Sequence, residues 1–548
     1  MKTKKISIVM SVLCIAAASI TGCSVDSQST VAPVTEKAET QPAEKQTETA
    51  LAEEANSGKP KYIFLFIGDG MSYPQIESTN YYLGALENKT SMGNKEDGTV
   101  LSKSGDALGF LDFPVAGSAQ TYDSTSFCPD SASTATSIST GHKTYSGTIN
   151  MNETATEAYE TIAEKLHSQK GYKVGIVTSV NLNHATPAAF YCHQESRSNY
   201  YDIGLEMIES GFEYFAGGGL LKPTGEEENQ EDLYKLAGEA GYSVVKTQKE
   251  AGQVTADTGK VILIDEHLAD SDAMDYEIDR TDEEWALSDY VAKGIDCLAE
   301  GNDNGFFMMV EGGKIDWACH ANDAASTMAD TKAFSDAVDK AVDFYQEHPE
   351  ETLILVTGDH ETGGMTIGYA GTNYDTFLQN LSNQKISFQK FDTEFVSKYK
   401  ENGTGFEDVM KDISQQFGLV TEEAAGKEAE DAVAKDSADK HPTGVTSGSL
   451  VLTEYELEKL QDAYDKTMTS GEDGELDQRE YELYGSYDPL TVTITHILNN
   501  KSGISFTSYS HTGLPVAVFA EGVGQESFEG YFDNTDIYKK MAALTGVN

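Results

Sequence analysis

Cations are scarce in this chain: 39 lysines and arginines stand against 90 aspartates and glutamates, for a formal net charge of −51. So acidic a surface repels a phosphodiester backbone, which excludes a nucleic-acid partner, and any anionic substrate has to be drawn in by local cations. Apolar runs long enough to span a bilayer are also missing. The run at 6–20 is too short and wrongly flanked, and behind Lys2, Lys4 and Lys5 it reads as an export signal over residues 1–22. Aromatics are almost absent from the Thr-, Glu- and Ala-rich stretch that follows. Residues 23–59 therefore cannot bury enough apolar surface to fold and are expected to form a flexible tether. Few cysteines lie beyond it: Cys128, Cys192, Cys297 and Cys319 leave three pairings open that spacing does not rank, with free buried thiols as the alternative.

What is present begins with Ile20-Thr21-Gly22-Cys23, which resembles a bacterial lipobox. Cys23 would then carry lipid as the mature N-terminus and the tether would hold a globular body off the membrane, in the periplasm or at the cell surface. Ordinary secretory cleavage nearby is the alternative.

In the body, 61–70 is a continuous apolar run ending Gly68-Asp69-Gly70, and similar runs recur at 173–181, 260–265, 306–311, 352–359 and 515–520. Such runs fit strands buried on both faces of a sheet. Helical patterns fall between them at 154–168, 282–300 and 320–346, the last with Phe334, Ala337, Val338, Ala341, Val342 and Tyr345 along one face, and a final helix is expected near 536–544. The alternation predicts an α/β fold with a doubly wound, mostly parallel central sheet flanked by helices. From about 371 to 489 the pattern becomes acidic and helical, as in 391–417 and 452–468. This reads as an insertion before the last strand, so that 60–370 and 490–548 form the sheet domain; a separate regulatory domain is the alternative. Within the insertion, 469–480 has the glycine and closing glutamate of an EF-hand loop, but Thr469 and Gly471 occupy its first and third positions, so tight calcium binding is not expected.

Ligands of doubly wound sheets sit beyond the carboxyl ends of the strands. There the chain places Asp69, then Glu311 with Asp316 and His320 following, then Asp359-His360, with His511 just before the 515–520 run. Carboxylates and imidazoles at separate strand ends are donors for Zn²⁺ and Mg²⁺, and Asp316 and His320 lie one helical turn apart. Cys128-Pro129-Asp130-Ser131-Ala132 adds a serine at a helix start, where free N–H groups and the helix dipole favour an anion and Asp130 serves as N-cap.

These residues carry a resemblance. Ile67-Gly68-Asp69-Gly70-Met71, Asp130-Ser131-Ala132, Val310-Glu311-Gly312, Thr357-Gly358-Asp359-His360-Glu361-Thr362-Gly363-Gly364 and Ser510-His511-Thr512-Gly513 resemble, in this order, the bacterial alkaline phosphatases. The resemblance covers roughly 60–370 and 490–545. It implies hydrolysis of phosphate monoesters through a phosphoserine on Ser131, at two zinc ions and one magnesium. Asp316, His320 and His511 would hold one zinc and Asp69, Asp359 and His360 the other; Asp69, Glu311 and Thr186 would hold the magnesium. Arg197, in His193-Gln194-Glu195-Ser196-Arg197, matches the family's phosphate-gripping arginine, whose planar fork suits two phosphoryl oxygens. His184 and Trp317 stand where some members have an acidic residue and a lysine, which implies a third site that takes Mg²⁺ weakly and also accepts Co²⁺. Members of the family are often homodimers. A sulfatase or phosphodiesterase on the same fold is the near alternative, although the sulfatase order Cys-x-Pro-Ser-Arg differs from the order here. A non-catalytic surface metal-binding lipoprotein is the distant one.

Overall fold

The computed structural model describes residues 58–93, 100–101, 108–426, 448–469 and 477–548. The export signal, Cys23, nearly all of the tether and most of the 469–480 loop lie outside the described residues.

Fourteen strands occur in order among the described residues: β1 (Tyr62–Gly68), β2 (Val115–Gln120), β3 (Lys173–Thr178), β4 (Tyr214–Gly217), β5 (Ser243–Val245), β6 (Val261–Ile264), β7 (Phe306–Gly312), β8 (Thr352–Gly358), β9 (Glu361–Thr362), β10 (Thr366–Ile367), β11 (Ile504–Ser505), β12 (His511–Thr512), β13 (Val516–Gly522) and β14 (Gly530–Asp533). Ten of them build one sheet in the order β14-β2-β13-β8-β1-β7-β3-β4-β6-β5. Most neighbours are parallel; β13 runs antiparallel to both β8 and β2. The sheet is doubly wound. Along β1, Ile63, Leu65 and Ile67 pack on one face with Ala132, Ala135 and Ile138 of helix Ser131–Thr140, while Phe64 and Phe66 pack on the other with Phe334, Ala337 and Val338 of helix Ala324–Glu347. Alternate side chains of an extended strand point to opposite faces, so a run that is apolar throughout demands cover on both.

Register decides where the chemistry sits. Gly68 of β1 is level with Gly312 of β7 and Gly358 of β8, so Asp69 and Asp359 leave their strands at the same level and Glu311, paired with Ile67, lies just behind them at the same edge. Glycine is required at Gly358, where a Cβ would lie 1.9 Å from the Met71 carbonyl oxygen, and at Gly70, where φ is +71° and a Cβ would lie 2.9 Å from Asp316 Cα.

Several expectations are corrected. The last strand is β14, not the 515–520 run, and β2, β4, β5 and β14 join the sheet although they are short or built from small and polar residues. The 154–168 helix begins only at Ile162. Thr161 caps it, its hydroxyl accepting the Glu164 N–H at 3.1 Å while the Glu164 carboxylate accepts the Thr161 N–H at 2.8 Å, and Met151 pairs with Ala158 upstream. The 320–346 pattern divides into Lys314–His320 and Ala324–Glu347, because Asn322 adopts φ +51° and Asp323 caps the second helix. The 391–417 pattern likewise breaks at Gly403, where φ is +60°. All four cysteines are free thiols, Cys128 exposed and the other three buried. Helix Pro489–Ser502 shares its apolar cluster with Leu381, Phe391, Ile413 and Leu460 from the accessory segment and with Ala324 and Met328 of the long helix.

Phe66 has no exposed surface and stacks edge-on to Phe334 at 5.9 Å. Phe66→Ala is expected to cost about 3–5 kcal/mol in urea unfolding, against roughly 0.5 kcal/mol or less for Tyr374→Ala, whose side chain is fully exposed. Equal midpoints would contradict the core assignment.

Candidate metal centre and nucleophile

The helix Ser131–Thr140 starts at the carboxyl edge of the sheet, and its cap does two jobs. One carboxylate oxygen of Asp130 accepts the N–H groups of Ser133 at 3.1 Å and Gly147 at 3.0 Å. The other accepts Arg197 Nη1 at 3.0 Å. Ser131 is the first residue of the helix, and its hydroxyl lies 3.1 Å from His360 Nε2 and 3.4 Å from Asp69 Oδ1.

Around it, one donor atom from each of Asp69, Asp359 and His360 falls within a 4.8 Å group, as do donors of Asp316, His360 and His511 and of Asp69, His184 and Glu311. His320 joins the second group, its Nε2 3.1 Å from His511 Nε2 and 3.4 Å from Asp316 Oδ2. Thr186 donates its hydroxyl to Asp69 Oδ2 at 3.0 Å. The residues expected at the metals and the nucleophile are thus brought together, Asp69 standing in two of the three groups.

Outer contacts fix the ring nitrogens. His320 Nδ1 and His511 Nδ1 each lie 2.6 Å from a backbone carbonyl oxygen, of Tyr509 and Pro129 respectively. Carbonyls only accept, so both Nδ1 atoms carry the proton and both Nε2 lone pairs face the site. Thr362 donates to Asp316 at 2.5 Å and stands 3.3 Å from His360 Nδ1. Thr134 donates to Asp359 Oδ2 at 3.0 Å. The same rule assigns His184: Arg197 Nη2 lies 2.9 Å from its Nε2 and only donates, so the proton sits on Nδ1, 3.7 Å from Glu311 Oε1. Neither of those two buried atoms has a hydrogen-bond partner.

Electrostatically the pocket is overloaded with negative charge. Burial, then the neighbouring carboxylates Asp359, Asp316 and Glu311, push Asp69 well above the usual range, and burial and Asp316 do the same to Asp359. Asp316 goes the other way: burial would raise it, but the imidazoles of His320, His511 and His360 hold it well below. Burial and the nearby His511 keep His360 neutral, the form that ligates.

Sequence reasoning missed Thr134, Thr362 and the second role of Asp130. Each was a small polar residue within three positions of a singled-out one, a signal shared by any helix cap. It also missed His193, whose ring lies between the carboxylates of Glu164 and Glu206, each at 3.4 Å. Burial is outweighed by those hydrogen bonds and the ring is raised to about 10. Beside Trp317, the buried ammonium of Lys314 lies 4.8 Å from the indole and 3.9 Å from the Tyr276 ring.

The alkaline phosphatase family model matches residues 60–547. Alkaline phosphatase 4 of Bacillus subtilis is 28% identical over 499 residues, covering 90% of each chain, and alkaline phosphatase 3 of the same organism is 28% identical over 496. Among solved structures, the cold-active alkaline phosphatase of a Shewanella species is 26% identical with a TM-score of 0.67, covering 88% of this chain and 99% of that one. The Thermus thermophilus alkaline phosphatase shares the fold at 23% identity and a TM-score of 0.63, covering 93% and 96%. With its strand-end donors, helix-start serine and near full-length match, the chain belongs to the alkaline phosphatase family and is a phosphoric monoester hydrolase.

Proposed function

We propose that Ser131 is the nucleophile of this hydrolase and Arg197 its phosphate clamp, working with two zinc ions and one magnesium. Asp316, His320 and His511 would hold one zinc, Asp69, Asp359 and His360 the other, and Asp69, Glu311 and Thr186 the magnesium. The residues fit such a load. Carboxylates buried this closely need cations among them, and Glu311 Oε1 is a buried acceptor without a donor. Imidazole with carboxylate suits zinc, whereas an oxygen set suits Mg²⁺, with Co²⁺ admitted by the adjacent imidazole of His184. When bound, the metals supply Lewis-acid polarisation and neutralise phosphoryl charge.

The protein groups do the rest. Ser131 Oγ, its proton passed to solvent, attacks phosphorus in line, forming the Ser131 O–P bond as the ester P–O bond breaks and the leaving alkoxide takes up a proton from water. Water then opens the phosphoserine and returns the serine hydroxyl. Arg197 meets two phosphoryl oxygens once its fork is shared with substrate rather than with His184. Asp130 keeps that fork aimed, since burial would disfavour the guanidinium charge and the carboxylate outweighs it. The single observation that carries this reading is Ser131 Oγ lying 3.1 Å from His360 Nε2 at a helix start. Arg197 together with a third cation supplies the neutralisation that a monoester dianion needs, and nothing in the site favours sulfate esters or diesters.

The same reading takes residues 60–370 and 490–548 as the catalytic domain and 371–489 as its accessory insertion. It places the mature chain outside the cytoplasm on a lipid at Cys23, and among the described residues no helix is long and apolar enough to cross a membrane. A homodimer is the implied assembly.

Ser131→Ala is expected to abolish acid-stable phosphoenzyme on quenching with radiolabelled substrate and to lower kcat by about three orders of magnitude or more, with metal content unchanged. Label retained on another residue would defeat the assignment. Arg197→Ala removes two charge-assisted hydrogen bonds. It should raise KM and the inhibition constant for inorganic phosphate about tenfold or more, with a smaller loss in kcat; unchanged phosphate inhibition would count against the clamp.

A further inference from the structure

Helices Glu454–Thr469, Gln478–Tyr484 and Pro489–Ser502 enclose a cleft of about 240 Å³ that the catalytic site does not use. Two cations face it, Lys459 and Arg479. Neither forms an ion pair among the described residues, in a chain whose acids outnumber its bases 90 to 39. Asp462 lines the same cleft yet reaches neither cation within 4.0 Å. The rim is apolar and open: Tyr455 is 64% exposed and Leu483 43%, and the Lys459 ammonium lies 4.6 Å from the Tyr455 ring centroid. Exposed aromatic surface beside unspent positive charge is what an amphipathic anion needs, a charged head to pair and a flat body to stack.

The floor of the cleft leads back to a proposed zinc ligand. His496 Nε2 lies 3.0 Å from Asn322 Oδ1, and the Asn322 amide is held to the carbonyls of Cys319 and Ser508 at 2.9 Å each. The His496 ring also stacks on Tyr509 at 5.9 Å. Tyr509 donates its hydroxyl to the Leu483 carbonyl at 2.5 Å, and its own carbonyl oxygen is the one that fixes His320 Nδ1. Burial keeps the His496 imidazole neutral, lowered to about 4, so Lys459 and Arg479 are the positive charges of the cleft.

We propose that this cleft binds a small organic anion, a phosphate or carboxylate carried on an aromatic or apolar body, at a site separate from the catalytic centre and braced against Tyr509 behind His320. Lys459 and Arg479 pair the anionic head, and Tyr455, Tyr484 and Leu483 cover the body. The binding claim stands on the cleft itself; its link to the metal rests on the ligand assignment above.

The test is calorimetric titration of the full-length, metal-loaded protein with phenylphosphonate, a non-hydrolysable dianion on an aromatic ring. Two binding events per chain are expected. In the Lys459→Ala, Arg479→Ala double variant the cleft event should weaken about tenfold or more, and Arg479→Glu, on an exposed helix face, should repeat the loss. Raising the salt concentration should weaken the same event. In Arg197→Ala the cleft event should persist while the catalytic one weakens, so a failure of the clamp reads out separately. A single event in wild type, or two undiminished events in the double variant, overturns the proposal.

Discussion

Four buried carboxylates crowd one edge of the sheet, and the rest of the structure is arranged around tolerating them. Asp69 and Asp359 are level because β1 and β8 are parallel and in register through Gly68 and Gly358, Glu311 of β7 pairs with Ile67 two residues before Asp69, and Asp316 sits in the first turn of the next helix. Two such charges 4 Å apart repel by about 4 kcal/mol even at an effective dielectric of 20. Burial without compensation would force protons onto Asp69 and Asp359. Imidazoles ease this on one side, where Asp316 is held ionised. On the other side the compensation has to come from cations, and the hydroxyls of Thr134 and Thr186 orient the oxygens of Asp359 and Asp69 for them.

Helix Ser131–Thr140 and Arg197 belong to one hydrogen-bonded unit. Asp130 caps the helix, ties Gly147 to it and aims Arg197, so a displacement of the cap moves the serine and the guanidinium together. Arg197 also sets the tautomer of His184. That contact couples Arg197 to Glu311: with Nε2 accepting from Arg197, Nδ1 presents a proton toward Glu311. Further out, Glu164, His193 and Glu206 clamp the start of the segment that delivers Arg197. Glu206 accepts the His193 N–H at 2.7 Å and Gln194 Nε2 at 2.5 Å.

The site was more legible in the sequence than the fold's periphery. Continuous apolar runs ending in Asp or Glu announce both a doubly covered strand and a donor at its carboxyl end, so Asp69, Glu311 and Asp359 could be found without structure. Serine after Asp130 could be found because capping chemistry is local. The edge strands β5 and β14 and their neighbour β2 were illegible, because β5 and β14 are only three and four residues long and β2 is built from Ala, Gly, Ser and Gln after its first valine, so none carries a continuous apolar run. Helix boundaries failed at Ile162 and Asn322, where a capping box and a left-handed residue override an apolar period that continues past them. Thr134 and Thr362 escaped because a hydroxyl that orients a carboxylate looks in sequence like any other threonine. The free cysteines were left open for a sound reason: pairing depends on distances that spacing along the chain does not encode.

The central claim is that Asp69 serves two metal positions at once and that Asp316, His320 and His511 form a position independent of it. Metal counting by plasma mass spectrometry, after dialysis of metal-stripped protein against zinc and magnesium, tests this in Asp69→Asn. Two of three ions should be lost and about one zinc retained on the Asp316, His320 and His511 group. Loss of a single ion, or retention of the full complement, would contradict the account.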